Sequence, residues 1–309
     1  MTQITAAMVK DLREQTGAGM MDAKKALTEN NGDVDAAIDW LRSKGLAKAA
    51  KKSGRTAAEG LVAVALSSDG TKGSVVEINS ETDFVARNDQ FQTFVKDVAK
   101  KSLETDGSVD AIKSADYNGK SVEESLTDLI AKIGENMQIR RSQTVSVNNG
   151  LVANYVHNAV GDNVGKIGVL VGLESDVPQD KLESLGKQLA MHIAAAKPEF
   201  LNKESVDPEV LERERSVLLE QAKEAGKPAD IAEKMVAGRI QKYYSEICLL
   251  EQIFVMDGET KVSDVIANTA KEAGASITLT DYARLTLGEG IEKEEEDFAA
   301  EVAKTAKSA

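Results

Sequence analysis

Two strand-length apolar runs, Leu61-Val62-Ala63-Val64-Ala65-Leu66 and Ser74-Val75-Val76-Glu77-Ile78, follow one another closely, joined through Ser68-Asp69-Gly70. They read as neighbouring strands with a turn between them. The next segment changes period. Phe91, Phe94, Val95 and Val98 predict a helix over roughly Asp89 to Glu104, and a second helical pattern covers Val122 to Ile133. Strand character returns at Met137 to Val147, Leu151 to Val156 and Lys166 to Leu173. A strand-strand-helix-helix order indicates an α+β fold with antiparallel pairing, not an alternating parallel sheet. Aromatic residues are only 4% of the chain, so the core must come mainly from Ala, Val, Leu and Ile.

The flanking segments are helical. Ile4, Met8, Val9 and Leu12 lie at helical spacing behind Thr5, a candidate N-cap. A second helix is expected from Met20 to Glu29, with Met21, Ala23, Ala26 and Leu27 available for packing. Asn30-Asn31-Gly32 is a turn, Asp33 caps a third helix through Val34, Ala37, Ile38 and Leu41, and Gly45 is expected to end it. Three short helices make a marginal core, so this module leans on something else. Residues 46–59 form a basic, Ala-rich link carrying Lys48, Lys51, Lys52 and Arg55. From Gln179 to Ile247 the pattern is helical again, with Leu182, Leu185, Leu189 and Ile193 in one stripe. Ala225-Gly226-Lys227-Pro228 is a stop followed by a start. The result is a charged helical hairpin, either an ordinary core pair or a projecting one. Leu249 to Met256 and Ser276 to Leu287 give strand signals around a helix at Val262 to Ala273. An amphipathic helix through Phe298 and Val302 is expected in the tail.

Composition excludes several classes of function. With 38 Lys+Arg against 51 Asp+Glu, the formal net charge of -13 opposes nonspecific binding to a polyanion. One cysteine, Cys248, rules out an internal disulfide framework and fits a reducing, cytoplasmic setting. No signal-peptide pattern opens the chain, and its longest strongly apolar stretch, Ile167 to Leu173, is far too short to span a bilayer. Gly161-Asp162-Asn163-Val164-Gly165-Lys166-Ile167 fails as a phosphate loop: three residues separate the glycines, where four are required, and Ile167 stands in place of the Mg²⁺-binding Ser or Thr. His192, on an Ala-rich helix, reads as a packed histidine, and Cys248 as a buried, inert thiol. No metal site or catalytic nucleophile emerges.

Two places ask for a partner. In Thr16-Gly17-Ala18-Gly19-Met20-Met21-Asp22, adjacent methionines cannot share one helix face. Either different neighbours bury both, or one is exposed and serves an adaptable interface. In Thr82-Asp83-Phe84-Val85-Ala86-Arg87-Asn88, Phe84 and Val85 fall on a strand-to-helix connection, where exposed apolar groups are costly. They either fold back onto their own sheet or face a partner.

These residues resemble a known family. Thr16 to Asp22, followed by Lys24-Lys25-Ala26-Leu27, is similar to the opening of translation elongation factor Ts. The similarity continues through Glu81 to Ala86, Lys132-Ile-Gly-Glu-Asn136, Ile139-Arg-Arg141, Met191 to Phe200, Gly226-Lys-Pro228, Ile231 to Val236 and Gly288 to Lys293. The blocks are colinear over nearly the whole chain. The resemblance implies an N-terminal three-helix, ubiquitin-associated-like domain at 1–45 and a basic linker at 46–59. It implies a two-part α+β core, with an N-subdomain at 60–148 and a C-subdomain at 149–200 and 248–287. The helical hairpin at 201–247 is then an insertion, and 288–309 is a C-terminal helical module.

It also implies a guanine-nucleotide exchange factor for elongation factor Tu, binding the GDP-bound and nucleotide-free forms and disturbing the Mg²⁺ and phosphate site. Thr82, Asp83, Phe84 and Val85 match the motif that dislodges the partner's Mg²⁺. Leu12, Met20 and Met21 match the N-terminal contact with the partner, and His157 a second contact on the core. No covalent catalysis, cofactor or bound metal is implied, nor direct contact with nucleic acid or a membrane. Self-association through the hairpin, as a homodimer or a 2:2 complex, is left open. A binding adaptor using only residues 1–45 would leave most of the chain unexplained, and an RNA-associated scaffold would need a larger basic face than the 42–55 strip.

Overall fold

The computed structural model describes residues 4–16 and 18–292. The expected tail helix, and most of the proposed C-terminal module, lie outside these described residues.

Helices α1 (Ala6–Thr16), α2 (Met20–Glu29) and α3 (Val34–Ala50) form the N-terminal module. Val9, Leu12, Ala23, Ala26, Leu27 and Ala37 make its small core. Asp33 caps α3 by accepting from the Ala36 amide at 3.0 Å. The helix does not stop at Gly45. It runs on to Ala50, and buried Gly45 lies on a neighbouring helix, where an added Cβ would sit 3.6 Å from Ala131. A glycine inside a helix marks close approach here, not termination.

The central sheet elements are β1 (Glu59–Leu66) and β2 (Lys72–Ser80). They are followed by α4 (Asp89–Leu103), α5 (Val109–Ser114), the two-residue strands β3 (Asp116–Tyr117) and β4 (Lys120–Ser121), α6 (Val122–Ile133) and β5 (Met137–Ser146). Then come β6 (Gly150–His157), β7 (Val164–Gly165), β8 (Ile167–Ser175), α7 (Gln179–Ala196), α8 (Pro208–Glu224), α9 (Ala229–Ile247), α10 (Val262–Ala273) and β9 (Ile277–Thr286). One sheet has the order β5-β2-β1-β7 and another β6-β8-β9, all antiparallel. The fold is α+β.

The two sheets stack face to face through Val62, Val64, Val75, Val145, Val152, Leu170 and Leu285. On its outer face the first sheet offers Leu61, Ala63, Val76 and Ile78 to Phe91, Phe94, Val95 and Val98 of α4 and to Leu126 and Ile130 of α6. The second sheet offers Val169, Val171 and Leu173 to Leu182, Leu185, Leu189 and Ile193 of α7 and to Ile266 of α10. Both faces of each central strand are therefore covered, which is why their sequences are apolar runs without polar alternation. Small side chains let the sheets approach: a Cβ on Gly168 would come within 2.7 Å of Val62 and Val75.

The segment Leu249–Met256 does not form the expected strand. It begins with a 3₁₀ turn at Leu249–Glu251, and its apolar residues Leu249 and Phe254 bury under α7 and α10. The amide of Gln252 bonds locally to the carbonyls of Cys248 and Leu249, so the run packs without joining a sheet. The hairpin α8–α9 is closed by Leu218, Ala222, Ala232 and Val236, and it turns at Gly226, whose φ is +68°.

A buried acid joins the sheet to the end of the described chain. Glu77 is fully buried and receives Arg140 at 3.1 Å and Arg141 at 2.5 Å. A register shift makes both contacts available. Ile139 faces Ile78 and Arg141 faces Glu77, leaving Arg140 as an extra, bulged residue. Arg140 also donates to the Glu289 carbonyl at 2.7 Å.

Candidate functional site

β2 ends at Ser80, and the chain must then turn to enter α4. Asn88 supplies the cap, its Oδ1 accepting from the amides of Gln90 and Phe91 at 2.9 and 3.2 Å. A 3₁₀ turn at Val85–Arg87 precedes it. Val85 and Ala86 bury into the helix-covered face of the first sheet. Phe84, one residue earlier, is 77% exposed. Asp83 is exposed as well.

The sequence left open whether Phe84 folds back. It does not, whereas Val85 does. Of the four candidates on this loop, Val85 is therefore an anchor, and Asp83 and Phe84 are the presented groups. Leaving a phenyl ring in water forgoes about 1.5–3 kcal/mol of burial.

Thr82 is held from outside the loop. Its amide donates to Glu135 Oε2 at 2.9 Å and its hydroxyl to Glu135 Oε1 at 2.6 Å. Glu81 accepts from the Asn136 amide at 2.5 Å and from Arg55 at 3.3 Å. Asn136 Nδ2 donates to the Arg55 carbonyl at 2.7 Å. Sequence reasoning gave Glu135 and Asn136 no role, although both stand in the Lys132–Asn136 block. Their partners lie some fifty residues earlier in the chain, and no local spacing announces such a contact.

Met20 and Met21 open α2 and are 57% and 78% exposed, while Ala23, Ala26 and Leu27 on the same helix are buried. Leu12 is fully buried in the module core, so it supports this surface without belonging to it. Met20 lines a cleft of about 1190 Å³ between the helical module and the core. The opposite wall includes Asp89, Gln90 and Thr93 at the start of α4, just beyond the Phe84 loop. Two contacts join the parts: Arg42 pairs with Glu124, and the Lys52 ammonium donates to the Gly134 carbonyl.

His157 ends β6 at the surface, its Nδ1 3.0 Å from the Tyr155 hydroxyl. The Gly161–Lys166 segment contains β7, which pairs with β1, and β8 follows it. No helix follows it to receive a phosphate. His192 is fully buried, with Nε2 2.9 Å from Gln252 Oε1 and Nδ1 accepting from the Val255 amide at 3.2 Å. Burial pushes its pKa down, and the Gln252 bond opposes this only in part. Burial likewise pushes the Cys248 thiol up to about 11, which suppresses the reactive thiolate. Among the described residues, no three His, Cys, Asp or Glu side chains gather as a metal site, and no helix is long and apolar enough to cross a membrane.

Comparison with known proteins gives the family. The family model described as Elongation factor TS matches residues 81–289, from the start of the Phe84 loop to the Glu77 cluster. The chain is 60% identical to Elongation factor Ts of Rhodospirillum rubrum over 306 residues, covering 98% of each protein. It is 60% identical to Elongation factor Ts of Agrobacterium fabrum over 309 residues, covering 99% of this chain and all of that one. The N-terminal module, outside the family model, is thus inside the full-length similarity.

Proposed function

This chain belongs to the elongation factor Ts family of translation elongation factors, and from that premise we propose that it is the nucleotide exchange factor of elongation factor Tu. In this role it binds the GDP-bound partner, loosens the Mg²⁺ and phosphate site, and favours release of GDP and uptake of GTP. It makes and breaks no covalent bond. It acts by binding the nucleotide-free partner more tightly than the nucleotide-bound one, and linkage then weakens the nucleotide by the same factor. A differential of about 5.5 kcal/mol corresponds to roughly 10⁴-fold.

The observation that carries this reading is Phe84, exposed on a loop whose two ends are held. Burying its ring in a crevice of the partner gains about 1.5–3 kcal/mol, available only where that crevice opens. The ring therefore supplies part of the differential and cannot supply all of it. Asp83 beside it holds the loop or meets a polar group of the partner. Direct capture of Mg²⁺ by a single carboxylate is the weaker route, because the ion demands a near-complete octahedral shell. Met20 and Met21 add affinity from the helical module, whose three helices we read as ubiquitin-associated-like. His157 provides a further contact from the second sheet. The hairpin remains free for self-association, including a 2:2 complex.

The test is release of a fluorescent GDP analogue from purified elongation factor Tu, under excess unlabelled GDP, with and without the chain. Acceleration that Phe84→Ala abolishes supports both activity and wedge. A folded sample that leaves the release rate unchanged refutes the proposal.

A further inference from the structure

We propose that Glu135 is a positioning residue for exchange: its carboxylate fixes Thr82 and so sets the direction in which Phe84 is presented. The proposal deepens the exchange reading and rests on it.

α6 ends at Gly134, whose φ of +91° turns the chain sharply. The turn carries Glu135 back toward the end of β2. There both carboxylate oxygens are spent on a single residue, one on the Thr82 amide and one on the Thr82 hydroxyl. Bonds to the backbone and the side chain of the same residue fix its peptide plane and its rotamer together. The Thr82 carbonyl accepts from Ser80 Oγ at 3.0 Å, which closes the remaining freedom. Downstream, Val85 is 4% exposed and seated in the core. The loop is thus tied at Thr82 and at Val85, and only Asp83 and Phe84 stand between the ties.

Thr82 and Glu135 are only half-buried, so water could satisfy both without unfolding anything. Their bonds serve loop order more than global stability. A loop already ordered does not lose that entropy when it docks. The same turn is held from its other side by Lys52 on the Gly134 carbonyl and by Asn136 on the Arg55 carbonyl. Gly134–Asn136 therefore links the Phe84 loop to the segment that follows α3.

The experiment uses the full chain and the fluorescent GDP release assay, titrated to separate maximal rate from half-saturating concentration. Glu135→Ala is expected to lower the maximal rate about tenfold, the loss of two charge-assisted hydrogen bonds on one residue. Glu135→Gln, with one acceptor oxygen, falls between. In a double-mutant cycle, Glu135→Ala/Phe84→Ala is no slower than Phe84→Ala alone, because a loop without its ring has nothing to aim. Amide hydrogen exchange of the free chain gives a reading without the partner: the Thr82 amide loses protection in Glu135→Ala.

Wild-type rates in Glu135→Ala overturn the proposal, as do losses that add fully to those of Phe84→Ala. If Glu135→Ala lowers the unfolding midpoint, Thr82→Val carries the test, removing the hydroxyl at nearly constant shape, and full activity there overturns it. Failure of the exchange reading looks different: the folded wild-type chain then leaves the release rate unchanged, while Thr82 protection still responds to Glu135.

Discussion

Glu77 and Gly288 are 211 residues apart in the chain, yet the Gly288 amide donates to the Glu77 carboxylate at 2.8 Å. The same carboxylate receives Arg140 and Arg141, and a Cβ added at Gly288, whose φ is +70°, would come within 2.5 Å of the Ala58 carbonyl oxygen. Glu77→Ala should therefore remove one acceptor from each of two guanidinium groups and the acceptor of the Gly288 amide. We expect a loss of about 3–5 kcal/mol. Urea unfolding followed by circular dichroism checks this, and a midpoint within error of wild type would contradict it.

Phe84→Ala and Val85→Ala should separate activity from stability at neighbouring positions. Phe84→Ala leaves the unfolding free energy within about 0.5 kcal/mol, since the ring touches water, and lowers the exchange rate at least tenfold. Val85→Ala costs about 2 kcal/mol of stability through the cavity it opens. Paired melts and exchange rates decide between this division and a loop whose two apolar residues act alike.

Met20→Ala/Met21→Ala should weaken affinity for elongation factor Tu without shifting the melt of the chain. Leu12→Ala should do the opposite first, destabilising the helical module by about 2–5 kcal/mol. Calorimetric titration with the partner, beside thermal melts, measures both.

Gly45→Ala should be tolerated or stabilising by about 0.5–1 kcal/mol, because the helix gains and Ala131 stands at ordinary contact distance. Gly45→Leu should instead push α3 off α6. Faster amide exchange confined to the N-terminal module would report that separation.

His192 gives a pH dependence of definite sign. Its pKa in the fold lies below the ordinary histidine value, because burial disfavours the charged ring. The unfolded chain therefore binds the proton first as pH falls. The stability contribution is complete above about pH 6.5 and is lost as the pH drops toward the depressed value. Protonating Nδ1 also removes the acceptor of the Val255 amide. Unfolding midpoints between pH 7.5 and 5 should slope less in His192→Gln than in the wild type.

The sequence made some elements plain because their signals are local. Asp33 announces the start of α3, and the apolar spacing of α4, α6, α7 and α10 is set by the neighbour each covers. Gly45 misleads because an isolated glycine reports either a stop or a close contact, and only Ala131 decides which. Leu249–Met256 misleads for a related reason: a short apolar run packs equally well as a strand or as an irregular layer. At the site, Phe84 and Val85 were recognisable as unusual, but two apolar residues on one loop do not say which faces inward. Glu135 was invisible in its role, since its meaning lies wholly in a contact with Thr82.

The base of the hairpin has one more consequence. The amides of Glu199 and Phe200 both reach the Ile247 carbonyl, at 2.9 and 3.0 Å, and the Leu249 amide returns to Phe200 at 2.8 Å. The two ends of the excursion are thus already stitched, above a small cluster of Val206, Ile247 and Cys248. Changes to the hairpin beyond that stitch need not alter the register of either sheet. The hairpin is an attachment whose surface can change without renegotiating the fold beneath it.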